Sequence, residues 1–205
     1  MILSLIRGWS YVWLPMIGMR VTVKGAMPTD KKYVIVANHI SYMDTLVIFP
    51  AIKGYFRPLG KKEIVKIPVL GYIYKQVVIM VDRSSQFSRA KSMRLMVRSL
   101  RKEGNILIFP EGTFNETPAP LKSFYDGAFR LALNSGAEIL PLILPDTFER
   151  WHYSGWWKLW PGKNRAIFLD PISPEGYSME TISLLKEHVY NTMEEAMLEY
   201  CDYLK

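Results

Sequence analysis

An imidazole and a carboxylate lie five positions apart in the segment Asn38-His39-Ile40-Ser41-Tyr42-Met43-Asp44. On a regular helix five positions turn through about 500°, which leaves the two side chains roughly 140° apart. They meet only where His39 precedes a helix and Asp44 lies within it. The neighbouring residues permit that: 34–37 reads as a strand, Asn38-His39 as a turn and Ser41 as a helix N-cap. A carboxylate on one ring nitrogen fixes the tautomer and stabilises the imidazolium, and the other nitrogen can then take a proton from a hydroxyl. The alternative is a purely structural histidine, the commoner fate of a lone histidine. His152 and His188 have no such partner in view, and His188 reads as a surface residue on an acidic helix.

A second group, Phe109-Pro110-Glu111-Gly112-Thr113, follows the apolar run 105–109. Pro110 ends the strand and Gly112 allows a backbone conformation closed to other residues. Glu111 and Thr113 are therefore presented at the C-terminal end of a strand, where open α/β sheets bind ligands. A simple turn with a capping threonine is the competing reading. There is no G-x-S-x-G nucleophile elbow and no glycine-rich phosphate loop of the P-loop or dinucleotide type. The single cysteine, Cys201, excludes an intramolecular disulfide, and no Cys/His cluster has zinc-ligand spacing. The pattern fits a base that activates an incoming hydroxyl, with no covalent enzyme intermediate, no metal and no cofactor.

The elements that must position these groups alternate along the chain. Strands are expected at 19–23, 33–37, 55–59, 77–81, 105–109, 138–143 and 165–169, and helices at about 41–51, 62–74, 86–102, 123–134 and 179–204. Gly104 and Gly136 follow two of the helices, where a left-handed closing residue is favoured. The alternation predicts an α/β fold: a single domain with a largely parallel central sheet flanked by helices, preceded by an apolar N-terminal helical segment. In 86–102, Ala90, Met93, Val97 and Leu100 form an apolar stripe. Lys91, Arg94, Arg98 and Arg101 form a basic stripe beside it, either a solvated face or one turned to anionic lipid. The last helix repeats Ile182, Leu185, Val189, Met193, Met197 and Leu204 and reads as a structural cover.

The 205 residues are 49% apolar, enough for one packed core, and carry a net charge of +7. The excess is local: 51–103 holds thirteen Lys or Arg against three acids, whereas 171–205 holds seven acids and two lysines. Such a layout points to an anionic partner, a membrane surface or a phosphate-bearing substrate, or else to a solvated basic face. Nucleic acid ranks last, because the basic residues lie among the candidate site motifs and no recognition fold is present. Residues 1–18 form the expected membrane-interface segment and 19–205 the main domain. The apolar N-terminal run is broken by Arg7 and Pro15, so it is a poor transmembrane span, and it lacks the layout of a secretory signal. Trp9, Tyr11 and Trp13 suit a headgroup layer, with packing on the protein's own core as the alternative. The aromatic stretch 151–160 points in the same two directions, lipid or apolar ligand contact against a small satellite core.

Taken in order, these motifs resemble the glycerolipid acyltransferase superfamily, and in particular 1-acylglycerol-3-phosphate acyltransferases. The pattern N-H-x-S-x-x-D is met at Asn38, His39, Ser41 and Asp44, and K-x-E-[LI]-x-x-x-P-x-x-G at Lys61, Glu63, Ile64, Pro68 and Gly71. An apolar strand ending in Asp82-Arg83, F-P-E-G-T at 109–113 and a proline-bearing apolar strand at 139–145 complete the set over about residues 20–170. The resemblance implies that His39 is the general base and Asp44 its orienting partner. It implies that Arg83 holds an anionic headgroup, that Lys61 contacts the same anion, and that Glu111, Gly112 and Thr113 shape the acceptor site. It implies a lysolipid acceptor, an acyl-CoA or acyl-carrier-protein donor attacked directly at its thioester, and a peripheral or monotopic place on the cytoplasmic face of an anionic membrane. In one place the chain departs from the family pattern, which continues E-G-T-R-S: here Phe114 and Asn115 follow Thr113. The acceptor is accordingly lysophosphatidic acid or another lysophospholipid or lyso-aminolipid. A hydrolase that admits water to the same dyad and a non-catalytic membrane-surface binder are the readings of other classes.

Overall fold

The computed structural model describes residues 2–68, 70–81, 86–152, 154–155 and 157–201. Seven strands form one sheet: β1 (Met19–Lys24), β2 (Val34–Ala37), β3 (Phe56–Lys61), β4 (Ile79–Val81), β5 (Asn105–Ile108), β6 (Ile139–Ile143) and β7 (Gly162–Phe168). Their order is β1-β7-β6-β2-β5-β3-β4. Every neighbouring pair is parallel except β6 with β7, which run antiparallel through Leu142↔Phe168 and Ile143↔Ile167. The expected α/β fold with a largely parallel sheet is therefore the observed one.

The central strands β2, β5 and β6 are buried along their whole length. Parallel strands covered on both faces need apolar residues at every position, which explains the unbroken runs Val34-Ile35-Val36-Ala37 and Ile106-Leu107-Ile108. Successive side chains enter different layers. Val34, Val36, Ile106, Ile108 and Ile139 pack with α4 (Gln86–Lys102), α5 (Gly127–Ser135) and α7 (Ile182–Tyr200). Ile35, Ala37, Leu107, Leu140 and Leu142 pack with α1 (Ile2–Met16), α2 (Asp44–Ala51) and α3 (Leu70–Val77) on the opposite face.

Helix α1 is docked by one face. Leu3 and Leu14 are buried, and the Arg7 guanidinium donates to the carbonyls of Phe49, Ile52 and Gly54. Its other face leaves Leu5, Trp9, Tyr11, Val12 and Met16 exposed, and the helix stops one residue after Pro15. No described helix is long and apolar enough to cross a membrane. On α4 the apolar Met96 and Leu100 are buried, with Met93 and Val97 alongside; Ala90, expected on that stripe, is exposed. The basic stripe Lys91, Arg94, Arg98 and Arg101 is exposed as expected. The α7 stripe Ile182, Leu185, Val189, Met193 and Met197 is buried, as is Cys201; Leu204 lies outside the described residues.

Several boundaries moved. The 62–74 helix is a short 3-10 helix, Lys62–Lys66, followed by α3. Residue 77 closes α3 and does not open β4. Helix α5 begins at Gly127 and not at 123; the segment before it is tied back by the Tyr125 N–H on the Pro110 carbonyl. Gly136 closes α5 in the left-handed region, whereas Gly104 owes its place to closeness: a Cβ there would meet the Tyr55 carbonyl oxygen. A short helix, α6 (Thr147–Arg150), was not expected; it follows β6.

Candidate active site

Because β2, β5 and β6 are parallel neighbours, the segments that follow them collect at one sheet edge: 38–44, 109–115 and 144–147. Asp44 opens α2, with its carboxylate at the positive end of the helix dipole. The chain from 40 to 43 curls back over it. Asp44 Oδ2 accepts the Ile40 N–H at 2.7 Å, the Ser41 N–H at 2.8 Å and His39 Nδ1 at 2.9 Å. An oxygen surrounded by two backbone donors acts as acceptor for the ring as well, which makes Nδ1 the protonated nitrogen and leaves the Nε2 lone pair free. The Asp44 side chain is fully buried, whereas that of His39 is 16% exposed. The partnership is therefore sealed from water on one side and open on the other. Ser41, read as the helix cap, is not one: Met43 holds the N-cap position, and Ser41 Oγ accepts the Met43 N–H while donating to the Trp151 carbonyl.

Two aromatic rings bracket the imidazole. Phe109 stacks on it with centroids 4.2 Å apart and planes 20° apart, and Phe114 meets it edge-on at 4.5 Å. Tyr42 packs against Phe114 at 4.9 Å and Trp151 lies 5.5 Å beyond Tyr42. A reacting hydroxyl must accordingly approach Nε2 near the ring plane. The position at which the family pattern carries a cation is thus occupied by a ring packed on the base itself.

Glu111 joins the two motifs. It is 1% exposed; Oε1 accepts the His39 N–H at 2.8 Å and Oε2 accepts the Lys122 N–H at 3.0 Å. Burial pushes its carboxyl up to about 7, opposed by those two backbone hydrogen bonds and reinforced by the nearby Asp44. The Asn115 N–H donates to the His39 carbonyl at 2.8 Å, and its side chain braces Thr117 and Ala119. Asn38 extends the β2–β6 ladder past its last strand pair: Oδ1 accepts the Leu144 N–H and Nδ2 donates to the Leu144 carbonyl. The histidine backbone is thereby held from β5 and β6 together.

Gly112 has φ +73°, the left-handed conformation that lets the turn close through its N–H to the Phe109 carbonyl. Thr113 is exposed, and its Oγ1 accepts from Lys122 Nζ at 2.9 Å. Lys61 ends β3, one strand beyond β5, so it shares the sheet edge with the dyad at roughly 10 Å by strand spacing. Arg83 lies outside the described residues. His152 bonds Ser154 and His188 bonds the Tyr177 hydroxyl, so neither joins the dyad. Of the 151–160 stretch, Trp151 lies at the site while Trp157 and Trp160 are exposed; Tyr153 and Trp156 lie outside the described residues. Sequence reasoning missed Lys122 and the contact of Phe114. The first carried no signal, since nine residues separate it from Thr113; the second was a marked position read only for the charge it lacks.

An oriented imidazole at the C-terminal edge of a largely parallel sheet, with no elbow nucleophile in the sequence, suits the movement of a proton in a group transfer. The transferred group is set by kinship. A family profile described as Acyltransferase matches residues 19–144, more than half of the chain, and the protein belongs to that family, within the glycerolipid acyltransferase superfamily. It is 26% identical over 202 residues to the 1-acyl-sn-glycerol-3-phosphate acyltransferase of Haemophilus influenzae, covering 96% of this chain and 82% of that one. It is 29% identical over 184 residues to the enzyme of that name from Limnanthes alba, covering 86% and 62%. With the alpha form from Homo sapiens it shares 27% over 199 residues, covering 92% and 70%. Among solved structures, the 1-acyl-sn-glycerophosphate acyltransferase PlsC of Thermotoga maritima superimposes with a TM-score of 0.79 at 24% identity, over 96% of this chain and 78% of that one. That likeness establishes the fold.

Proposed function

We propose that the protein transfers a fatty acyl group from an acyl thioester, acyl-CoA or acyl-carrier protein, to the free hydroxyl of a lysolipid, with 1-acylglycerol-3-phosphate as the first acceptor and phosphatidic acid as product. The observation that carries this reading is the Nδ1–Asp44 hydrogen bond, which leaves Nε2 as the base on a reachable ring edge. In the reaction Nε2 takes the proton of the acceptor hydroxyl as its oxygen attacks the thioester carbonyl. The tetrahedral intermediate then collapses, the C–S bond breaks, and the departing thiolate recovers the proton from Nε2. Asp44 holds the ring and stabilises the transient imidazolium. Glu111 shapes the acceptor site from beneath through the backbones it binds, and Gly112 and Thr113 border it. Lys61 and Arg83 serve the anionic headgroup.

Relatives that act on 1-acyl-sn-glycerol-3-phosphate support the first acceptor. Phe114 supports a second, a lysophospholipid or lyso-aminolipid with a different headgroup, because an aromatic ring against His39 offers no bidentate cation to a phosphate monoester. The exposed apolar face of α1 with Trp157 and Trp160 fits a peripheral or monotopic position on the cytoplasmic face of a membrane, where such acceptors reside.

The test is an acceptor panel with either donor, the products identified by mass spectrometry. His39→Ala is expected to lower turnover by about 10²–10⁴-fold. Full activity in that variant sinks the mechanism, and thioester cleavage that ignores every acceptor reassigns the protein as a hydrolase.

A further inference from the structure

Lys122 stands outside every motif, yet it is tied to the candidate site at both ends. Its backbone N–H is bound by Glu111, the same buried carboxylate whose other oxygen holds the His39 backbone. Its ammonium is bound by the Thr113 hydroxyl at 2.9 Å. A threonine hydroxyl that accepts from an ammonium keeps its own hydrogen for a further acceptor, so two donors converge at the outer lip of the turn. Among the described residues no carboxylate lies within ion-pair distance of the Lys122 ammonium, and Glu111 is committed to two backbone donors. The charge is therefore fixed in place and left open. The other two positions beyond Thr113 supply no cation: Phe114 packs on the imidazole and Asn115 is buried in its own loop.

We propose that Lys122, with the Thr113 hydroxyl, binds the phosphate of the lysophospholipid acceptor. The proposal rests on the acyl-transfer reading above and names the group that recognises its substrate. Only two carbons and an ester oxygen separate the reactive hydroxyl of 1-acylglycerol-3-phosphate from phosphorus. A cation that meets this phosphate must therefore sit beside the dyad, as Lys122 does on the segment after β5 that Glu111 ties to the His39 backbone, and not on the distant basic stripe of α4; Lys122 adds to the Lys61 and Arg83 of the proposed reading. An ammonium acts on phosphate as a point charge, which tolerates a monoester or a diester alike, unlike the fork of an arginine.

Steady-state kinetics on Lys122→Ala and Lys122→Gln test this, with 1-acylglycerol-3-phosphate and a coenzyme A thioester varied in turn. Both substitutions keep the backbone N–H on Glu111, and Gln also keeps most of the side-chain length. The acceptor KM is expected to rise about tenfold to a hundredfold in both, with the donor KM unchanged and Lys122→Arg restoring most of the loss. An unchanged acceptor KM overturns the assignment. So does a rise in the donor KM, which would mark a phosphate of coenzyme A as the ligand, and so does a fall in kcat with both KM values intact. A wild-type protein that acylates no lysolipid overturns the underlying reading and this assignment with it, a result distinct from an active enzyme indifferent to residue 122.

Discussion

Replacing Glu111 by Gln should make folding stability less sensitive to pH, in a predictable direction. The folded carboxyl lies at about 7 against an ordinary 4.5, chiefly because burial penalises its charged form. Between those values the folded chain holds a proton that the unfolded chain has released, so raising pH lowers stability. At 1.36 kcal/mol per pKa unit, the part of this loss falling between pH 5 and pH 8 is about 2–3 kcal/mol. Gln has no proton to release and keeps an oxygen to accept the His39 N–H, although its amide group faces the Lys122 N–H at a constant cost. Stability from urea unfolding of both proteins at pH 5 and pH 8 isolates the effect, because every other titrating group is shared. The wild type should lose about 2–3 kcal/mol relative to the variant over that interval, a change of roughly 1 M in the difference between their midpoints. A difference between the two proteins that is the same at both pH values refutes the reasoning, and one that moves in favour of the wild type at pH 8 refutes its sign.

Two further outcomes follow from the same geometry. Asp44→Asn keeps the shape of the site, since the amide oxygen takes the place of Oδ2 among its three donors, but removes the negative charge that stabilises the imidazolium; kcat should fall by about 10²-fold or more with the acceptor KM little changed, measured under saturating donor. Asn38→Ala leaves the N–H of buried Leu144 without its partner, while the Leu144 carbonyl keeps the Thr147 hydroxyl, and should cost about 1–3 kcal/mol, read as a lowered urea midpoint.

The parts of the molecule legible in the sequence are those governed by local rules. Val34–Ala37 and residues 106–108 of β5 declare themselves because strands buried on both faces favour unbroken apolar runs. The meeting of His39 and Asp44 was legible as a condition on geometry, met once α2 begins at Asp44 itself. What escaped depends on contacts far apart in the chain. Residues 123–126 carry a helical pattern, yet Tyr125 satisfies Pro110 instead. The antiparallel return of β7 on β6 has no local marker. Phe114 reads in the sequence as a missing charge and in the structure as a wall of the base. Lys122 reaches Thr113 across nine residues with its own backbone held by Glu111 beside the turn.

The opposed faces of the sheet put two unlike surfaces on opposite sides of the molecule. Helix α1, with its exposed Trp9, Tyr11 and Met16, covers one face, and α4, with Arg94, Arg98 and Arg101, covers the other. A bilayer on which the outer side of α1 rests lies beyond a helix layer, the sheet and a second helix layer from the arginines. Each helix alone is about 10 Å across, while counterions at physiological ionic strength extinguish a field within about 8 Å. The arginines then contribute nothing to adhesion. Salt should then act on such attachment only through charges of the α1 side, such as the exposed Lys75 of α3, and the positive face of α4 is left looking into water, free to gather soluble anions.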